Sequence, residues 1–289
     1  LDIIDLLFND KVSIKLQKEI ISPDEIKDIK IHKLTKRVDE QSKQIEMLIE
    51  FVKMDVNLKS ELKLIKGEKI SHTVVIKDKL PILNLRMYGS NIINLDMSSN
   101  EITDITGLQY LSNLQSLDIS ECNNITDITA LQNLTNLQTL NMNWCNKITD
   151  ITVLQYLTNL QSLIMYGCEH ITDITALQYL SNLQSLDMCY CSGIIDITAL
   201  QNLTNLQTLN IRECVEITDI TSLQYLTNLQ SLDIIECTQI TDITALQNLT
   251  NLQTLNISGC GEEITDISAL QNLTNLQTLN IRACYEITD

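Results

Sequence analysis

From Ile102 onward the chain sets its apolar residues by a rule that changes partway through each short stretch. In Ile102 to Asn124, the residues Ile102, Ile105, Leu108, Leu111, Leu114 and Leu117 follow at intervals of three, and Ile119 then follows at an interval of two. An interval of two sends Leu117 and Ile119 to one face of a strand and Asp118 and Ser120 to the other. An interval of three suits tight turns and 3₁₀ pieces, in which residues three apart eclipse. The phrase Ile102-Thr103-Asp104-Ile105 returns in register at Ile125, Ile148, Ile171, Ile194 (with Ile195 in place of Thr), Ile217, Ile240, Ile264 and, as Ile-Thr-Asp, at Ile287, so the period is close to 23 residues (125 − 102). Units this short bury an apolar face only by stacking on their neighbours, and they leave no room for a long crossover helix. The pattern predicts a thin α/β-class coil, with short parallel strands lining one face and 3₁₀ or turn segments covering the other.

The strand-forming core of each unit, Leu114-x-x-Leu117-x-Ile119-x-x-Cys122, resembles the leucine-rich repeat, whose consensus places Asn or Cys at the fourth of these positions. It recurs from Leu137/Leu140/Met142/Cys145 through Leu276/Leu279/Ile281/Cys284. Two looser units precede it, Ile92/Leu95/Met97/Asn100 and Leu80/Leu83/Leu85. The resemblance therefore spans about residues 80 to 289 with ten strands. The connecting words Leu-Thr-Asn-Leu-Gln and Ile-Thr-Asp-Ile are similar to the short-repeat class of bacterial internalins and of a regulatory subunit of protein phosphatase 1. The Cys-x-x-Ile-Thr-Asp turn resembles the cysteine-containing repeats of F-box proteins. What the resemblance implies is a solenoid with a concave sheet and a convex turn face, acting as a recognition module. Array residues are taken as 79 to 289, and because the last unit stops at Ile287-Thr288-Asp289 it reads as cut at the C-terminus.

Residues 1 to 78 do not repeat and read as a helical head. Ser22-Pro23-Asp24-Glu25 is a helix start, with Ser22 as N-cap and Pro23 at the first helical position. Ile31, Leu34, Val38, Gln41, Ile45, Leu48 and Val52 then follow an a/d heptad spacing that allows a short coiled coil. Met47, Ile49, Met54 and Val56 widen the apolar face beyond a narrow seam. Three readings stay open: a cap on the first repeat or small helical domain, homo-oligomerisation, and partner binding. Lys66-Gly67-Glu68-Lys69 reads as a turn before the first strands.

Charge separates the two parts. Of the 20 Lys+Arg and 37 Asp+Glu, residues 1 to 79 hold 16 and 15, and residues 80 to 289 hold the remaining 4 and 22. An array with a net charge of −18 (4 − 22) argues against a nucleic-acid partner and against an anionic membrane surface, both of which call for clustered Lys and Arg. Basic proteins are the partners that electrostatics would steer, although acid on a polar surface also serves solubility alone.

Nine cysteines suggest chemistry until their positions are read. Eight of them, Cys122, Cys145, Cys168, Cys191, Cys214, Cys237, Cys260 and Cys284, fall in one column, once per unit. In the family this resembles, that column points inward, where a small thiol meets backbone groups. Free thiols are the expectation, and they favour a reducing, cytoplasmic location over the disulfide-forming route. Cys189 lies outside the column and is expected to point outward, so it does not converge with Cys168, Cys191 and His170 into a zinc site. The Asp column from Asp104 to Asp266 is read as capping local backbone N–H groups rather than holding calcium. No metal, no cofactor and no catalytic residue is assigned, and the chain reads as no enzyme. The sequons at Asn124, Asn133, Asn202, Asn248 and Asn272 matter only on a secretory route.

Comparing the units with one another locates function better than any motif. The first outward strand column holds only Ser or Thr, and the second holds Asp or Asn except at Ile164. The next two columns change freely, and they carry Trp144, Tyr166, Tyr190, Arg212, Glu213, Glu236 and Arg282. The only Trp of the chain and two tyrosines fall on three successive rungs, which is hot-spot material. These residues are taken as the partner-binding set of a non-catalytic protein-protein interaction module. A secreted or surface adhesion protein lacking its leader, and a non-catalytic part of a larger enzyme such as a ubiquitin ligase receptor, remain as alternatives.

Overall fold

The computed structural model describes residues 70–75, 92–99, 101–260 and 264–284. The strands among them are β1 (Ile70–Val75), β2 (Ile92–Asp96), β3 (Ser116–Asp118), β4 (Thr139–Asn141), β5 (Ser162–Ile164), β6 (Ser185–Asp187), β7 (Thr208–Asn210), β8 (Ser231–Asp233), β9 (Thr254–Asn256) and β10 (Thr278–Asn280). They form one sheet in sequence order, every pair parallel. From β2 onward the pairing keeps equivalent residues level, with Leu117 opposite Leu140, Leu163 opposite Leu186 and Leu232 opposite Leu255. Identical columns therefore stack at the inter-strand spacing of ~4.8 Å.

The apolar interval of three corresponds to a chain of turns. Leu108 N–H donates to Ile105 C=O, Leu111 to Leu108 and Leu114 to Leu111, each at 2.9 Å. Each inward residue thus closes a turn on the inward residue before it, and 3₁₀ helices such as Thr106–Tyr110 and Thr152–Tyr156 follow. Tight i to i+3 bonding satisfies the backbone within a path too short for an α-helix. The Asp column starts these helices: Asp104 Oδ1 accepts from Thr106 N–H and Asp173 from Thr175 N–H, both at 2.8 Å. This bears out the capping reading of that column.

The leucine and isoleucine columns run through the array as one continuous core, with Leu114, Leu137, Leu160 and Leu183 all fully buried. Two further columns tie successive rungs at opposite edges of the sheet. At the edge where the chain enters each strand, Asn136 Nδ2 donates to Ser112 C=O at 2.8 Å, and Asn159, Asn182, Asn205, Asn228, Asn251 and Asn275 repeat the bond. At the edge where the chain leaves, Cys145 Sγ donates to Ile119 C=O at 3.1 Å, and the other column cysteines donate to the equivalent carbonyl one unit back.

One boundary differs from expectation. β1 lies inside 1–78, the stretch read as a helical head, and pairs with β2, so the sheet begins upstream of residue 79. Its register shifts between Ile70 and Thr73, which departs from the level stacking of the later units. The heptad over Ile31 to Val52 and the unit Leu80/Leu83/Leu85 lie outside the described residues. Among the described residues no helix is long and apolar enough to cross a membrane.

Candidate functional site

After each strand from β2 onward the chain makes the same exit. The outward Asp or Asn at the strand end accepts a hydrogen bond from the N–H two residues on: Asp118 from Ser120 at 2.8 Å, Asp187 from Cys189 at 3.0 Å, Asn210 from Arg212 at 3.1 Å and Asp233 from Ile235 at 3.0 Å. The next residue takes a positive φ, between 53° and 71° at Ser99, Glu121, Trp144, Gly167, Tyr190, Glu213, Glu236, Gly259 and Ala283. From β3 onward the chain then drops the cysteine into the core. A side chain at the left-handed position is thrown clear of the sheet, because the sharp reversal leaves no inward space for it.

This geometry divides the candidate residues into two columns. Trp144, Tyr190, Glu213 and Glu236 occupy the left-handed position, whereas Tyr166, Arg212 and Arg282 stand one residue earlier. The offset brings the aromatics together. Trp144 and Tyr166 meet with ring centroids 4.9 Å apart and planes at 84°, and Tyr166 and Tyr190 follow at 5.3 Å and 76°. Both contacts are edge-to-face, the arrangement that sets a positive ring edge against a negative face. Glu213 continues the run: the Tyr190 hydroxyl donates to its carboxylate, which holds the phenol above its ordinary ionisation range. Arg212 Nε also lies 3.2 Å from Glu213 Oε1. Five of the seven candidates are thus linked into one line on the rungs after β4, β5, β6 and β7. Glu236 and Arg282 are exposed and lie on later rungs, beyond this line.

Two residues that the sequence reading did not include belong to the same place. Ile164 supplies no acceptor at the end of β5, and Asn143 of the preceding rung takes over, its Oδ1 accepting from Tyr166 N–H at 3.0 Å. Ile164 is also half-buried on the outward face, beside the aromatic run, so the acidic and amide ladder there is interrupted by an apolar side chain. Its exception to the Asp/Asn rule was the available signal. Cys189 departs from expectation: although it stands in an outward column it is only 3% exposed. Burial pushes its thiol up to about 12, with Asp187 adding to the rise and Arg212 opposing it.

The column thiols are not poised for reaction. Cys145, Cys168, Cys191, Cys214, Cys237 and Cys260 are free and buried. Loss of hydration raises each of them, Cys168 to about 11 and Cys237 and Cys260 to about 12. A nucleophilic thiol needs the opposite shift. Among the described residues no cluster of His, Cys, Asp or Glu could hold a metal ion.

Elsewhere the surface is plainer. The entering edge carries an open polar groove of about 400 Å³ lined by Gln115, Asn136, Gln138, Asn159, Gln161, Asn182 and Gln184. The convex face shows Tyr156, Tyr179 and Tyr225, each about half exposed, at the ends of 3₁₀ helices.

Comparison with known proteins agrees with this architecture. The profile of the family described as leucine rich repeats (2 copies) matches residues 90–133, 135–179 and 204–248, and the leucine rich repeat profile matches residues 251–273. Among solved structures, internalin C2 from Listeria monocytogenes is 33% identical, with 68% of this chain and 83% of that chain covered and a TM-score of 0.60. An internalin (inlF) from the same organism is 33% identical over 68% of either chain, with a TM-score of 0.47. The leucine-rich repeat domain of the type III effector XopL is 20% identical over 64% of this chain and 68% of that one, at a TM-score of 0.55, a likeness of fold alone. No curated protein matches the chain.

Proposed function

This chain belongs to the leucine-rich-repeat family, of the internalin-like kind, and on that premise we propose that it is a non-catalytic module that binds a protein partner through the edge of the concave sheet where the strands exit. One observation carries the reading: Trp144, Tyr166 and Tyr190 stack edge-to-face outside the core, with Ile164 beside them in the otherwise Asp/Asn column. Aromatics held in place before binding supply contact area at little cost in conformational entropy, and such groups dominate interface energetics. The flanking charges favour a partner that presents an apolar anchor beside basic residues. Asp187, Asp233, Glu213 and Glu236 surround or follow the run, against Arg212, which Glu213 already engages.

The test sets this edge against the convex tyrosines. Trp144→Ala or Tyr190→Ala should weaken capture of a partner by ~2 kcal/mol or more with thermal stability nearly unchanged. Tyr156→Ala and Tyr225→Ala should leave capture intact. The reverse result would move the recognition surface to the convex side.

Two accompanying readings have their own measurements. A reducing, cytoplasmic location is supported by the free thiol column, and titration of unfolded protein without reductant should find all nine cysteines of the sequence reactive. Recovery of several disulfides from native material would favour the adhesion reading that the likeness to internalins supports. Self-association through the head is checked by sedimentation of Val38→Asp with Ile45→Asp, which should abolish any dimer of the parent chain.

A further inference from the structure

Positive φ does not by itself require glycine in the exit column. Glu121, Trp144, Tyr190, Glu213 and Glu236 adopt it with full side chains, at φ of 55° to 60°. The turn, its Asp or Asn cap and the buried cysteine together hold the backbone there against the cost of the left-handed region. Gly167, at φ 71°, therefore needs a different reason, and its surroundings supply one.

A Cβ at residue 167 would lie 2.5 Å from Cε3, 2.7 Å from Cζ3 and 2.8 Å from Cδ2 of Trp144. These are ring carbons of a bicyclic side chain, which cannot bend away as the end of a flexible chain can. The indole lies across the left-handed position of the next rung and fills the space that a side chain there would take. Because Gly167 leaves that space open, its own rung presents its aromatic one residue earlier, at Tyr166, whose ring then meets both neighbours. Gly259 makes a useful contrast in the same column. A Cβ there would meet Glu236 Cγ at 3.0 Å, and that side chain is flexible and solvent-facing.

We propose that Gly167 is a positioning residue, the seat on which the Trp144 indole rests, and that this seat assembles Trp144, Tyr166 and Tyr190 into one rigid unit before any partner arrives. The value of that unit for recognition rests on the function proposed above, but the seat itself is a property of the free protein. Preorganised aromatics lose little freedom on binding, so a displaced indole forfeits affinity without removal of any contacting atom.

Trp144 is the only tryptophan of the chain, so its emission reports the seat directly. In Gly167→Ala the emission should shift to the red, its quenching by acrylamide should rise, and the near-ultraviolet circular dichroism of the aromatic run should fall. Gly259→Ala, which adds the same methyl at the same kind of turn, should leave all three signals at their parent values. If Gly167→Ala is too unstable to hold folded, Trp144→Ala with Gly167→Ala should melt at a higher temperature than Gly167→Ala alone, because the collision has gone. Unchanged emission in Gly167→Ala, an equal shift in Gly259→Ala, or a double variant no more stable than the single one would each overturn the proposal. Capture of a partner separates the two claims: Gly167→Ala should lose affinity roughly 30-fold, as Trp144→Ala does. A shifted emission with capture unaffected by either change would keep the seat and dismiss the recognition surface.

Discussion

The two edges of the sheet solve the same problem with different atoms. Where the chain enters each strand, the rung-to-rung bond is made by an exposed side chain, the Asn amide that reaches the carbonyl of the unit before it. Where the chain leaves, the bond is made by a buried thiol, and the residues at the left-handed position before it join the next rung through their backbone N–H, whatever side chain they carry. At the first edge, then, the visible residue is the structural one, and Asn-Leu-Gln barely changes from unit to unit. At the second edge the structural residue is hidden, and the visible ones vary from Glu to Trp to Gly without breaking the coil. Variation collects where the fold has moved its own work indoors, and a recognition surface can be written there at little structural cost.

Alkali offers the strongest test of this contrast, because only the exit edge titrates. A thiol whose folded value is raised above its unfolded value of 9.0 adds stability that is fully present below pH 9 and is lost as pH rises toward the folded value. Each such group costs about 1.4 kcal/mol per pH unit in that window. With Cys168 at about 11, Cys237 and Cys260 at about 12, and Cys145, Cys191 and Cys214 pushed higher still, the column should melt the array cooperatively by about pH 11. A far-ultraviolet signal that stays flat from pH 8 to pH 11 would show that the thiols do not hold this edge.

Single deletions of the two ties should differ in the same sense. Cys191→Ala takes one of two donors from Met165 C=O, which keeps the Cys168 N–H at 3.2 Å, and leaves a small void in the core, at a cost of ~1–2 kcal/mol. Asn205→Ala frees Ser181 C=O at a surface where water can replace the amide, at ~0.5–1 kcal/mol. Equal costs in chemical denaturation would mean that burial does not separate the edges. A gain is expected from Glu236→Gly, by up to about 1 kcal/mol, because the left-handed position at φ 56° then loses its steric penalty. A loss from that change would assign the outward residue a structural role after all.

The smallest effect lies on the turn side. Asp104, Asp150 and Asp173 are held below the usual carboxylate value of 3.8, chiefly by the backbone N–H two residues on, and Asp219 and Asp266 chiefly by the hydroxyl of that same residue. Their contribution is present above pH 3.8 and fades as pH falls through the lower folded values. Since these carboxylates face solvent, melting temperature should decline only gently below that pH, with no step comparable to the alkaline one.

Particular residues show how far the chain could be read without coordinates. The intervals of three and two gave the turns and strands because they are the hydrogen-bond period of the former and the side-chain period of the latter. The cysteine and aspartate columns were legible for the same reason, each sitting at a fixed distance from a change of period. The upstream strand Ile70–Val75 was not, because it lacks the repeating phrase and slips in register against β2.

Sequence alone determined the period, the stacking and the identity of the columns, since these depend on separations along one chain that every unit repeats. Tertiary structure decided what happens between units. It brought the Tyr166 ring to those of Trp144 and Tyr190 across the one-residue offset of their columns, hid Cys189 among its neighbours, handed the Tyr166 N–H to Asn143 when Ile164 could not accept it, and laid the indole over Gly167. Each of these is a contact between residues about one period apart, at a turn whose left-handed backbone re-aims the side chain, and no count along the chain reveals that direction.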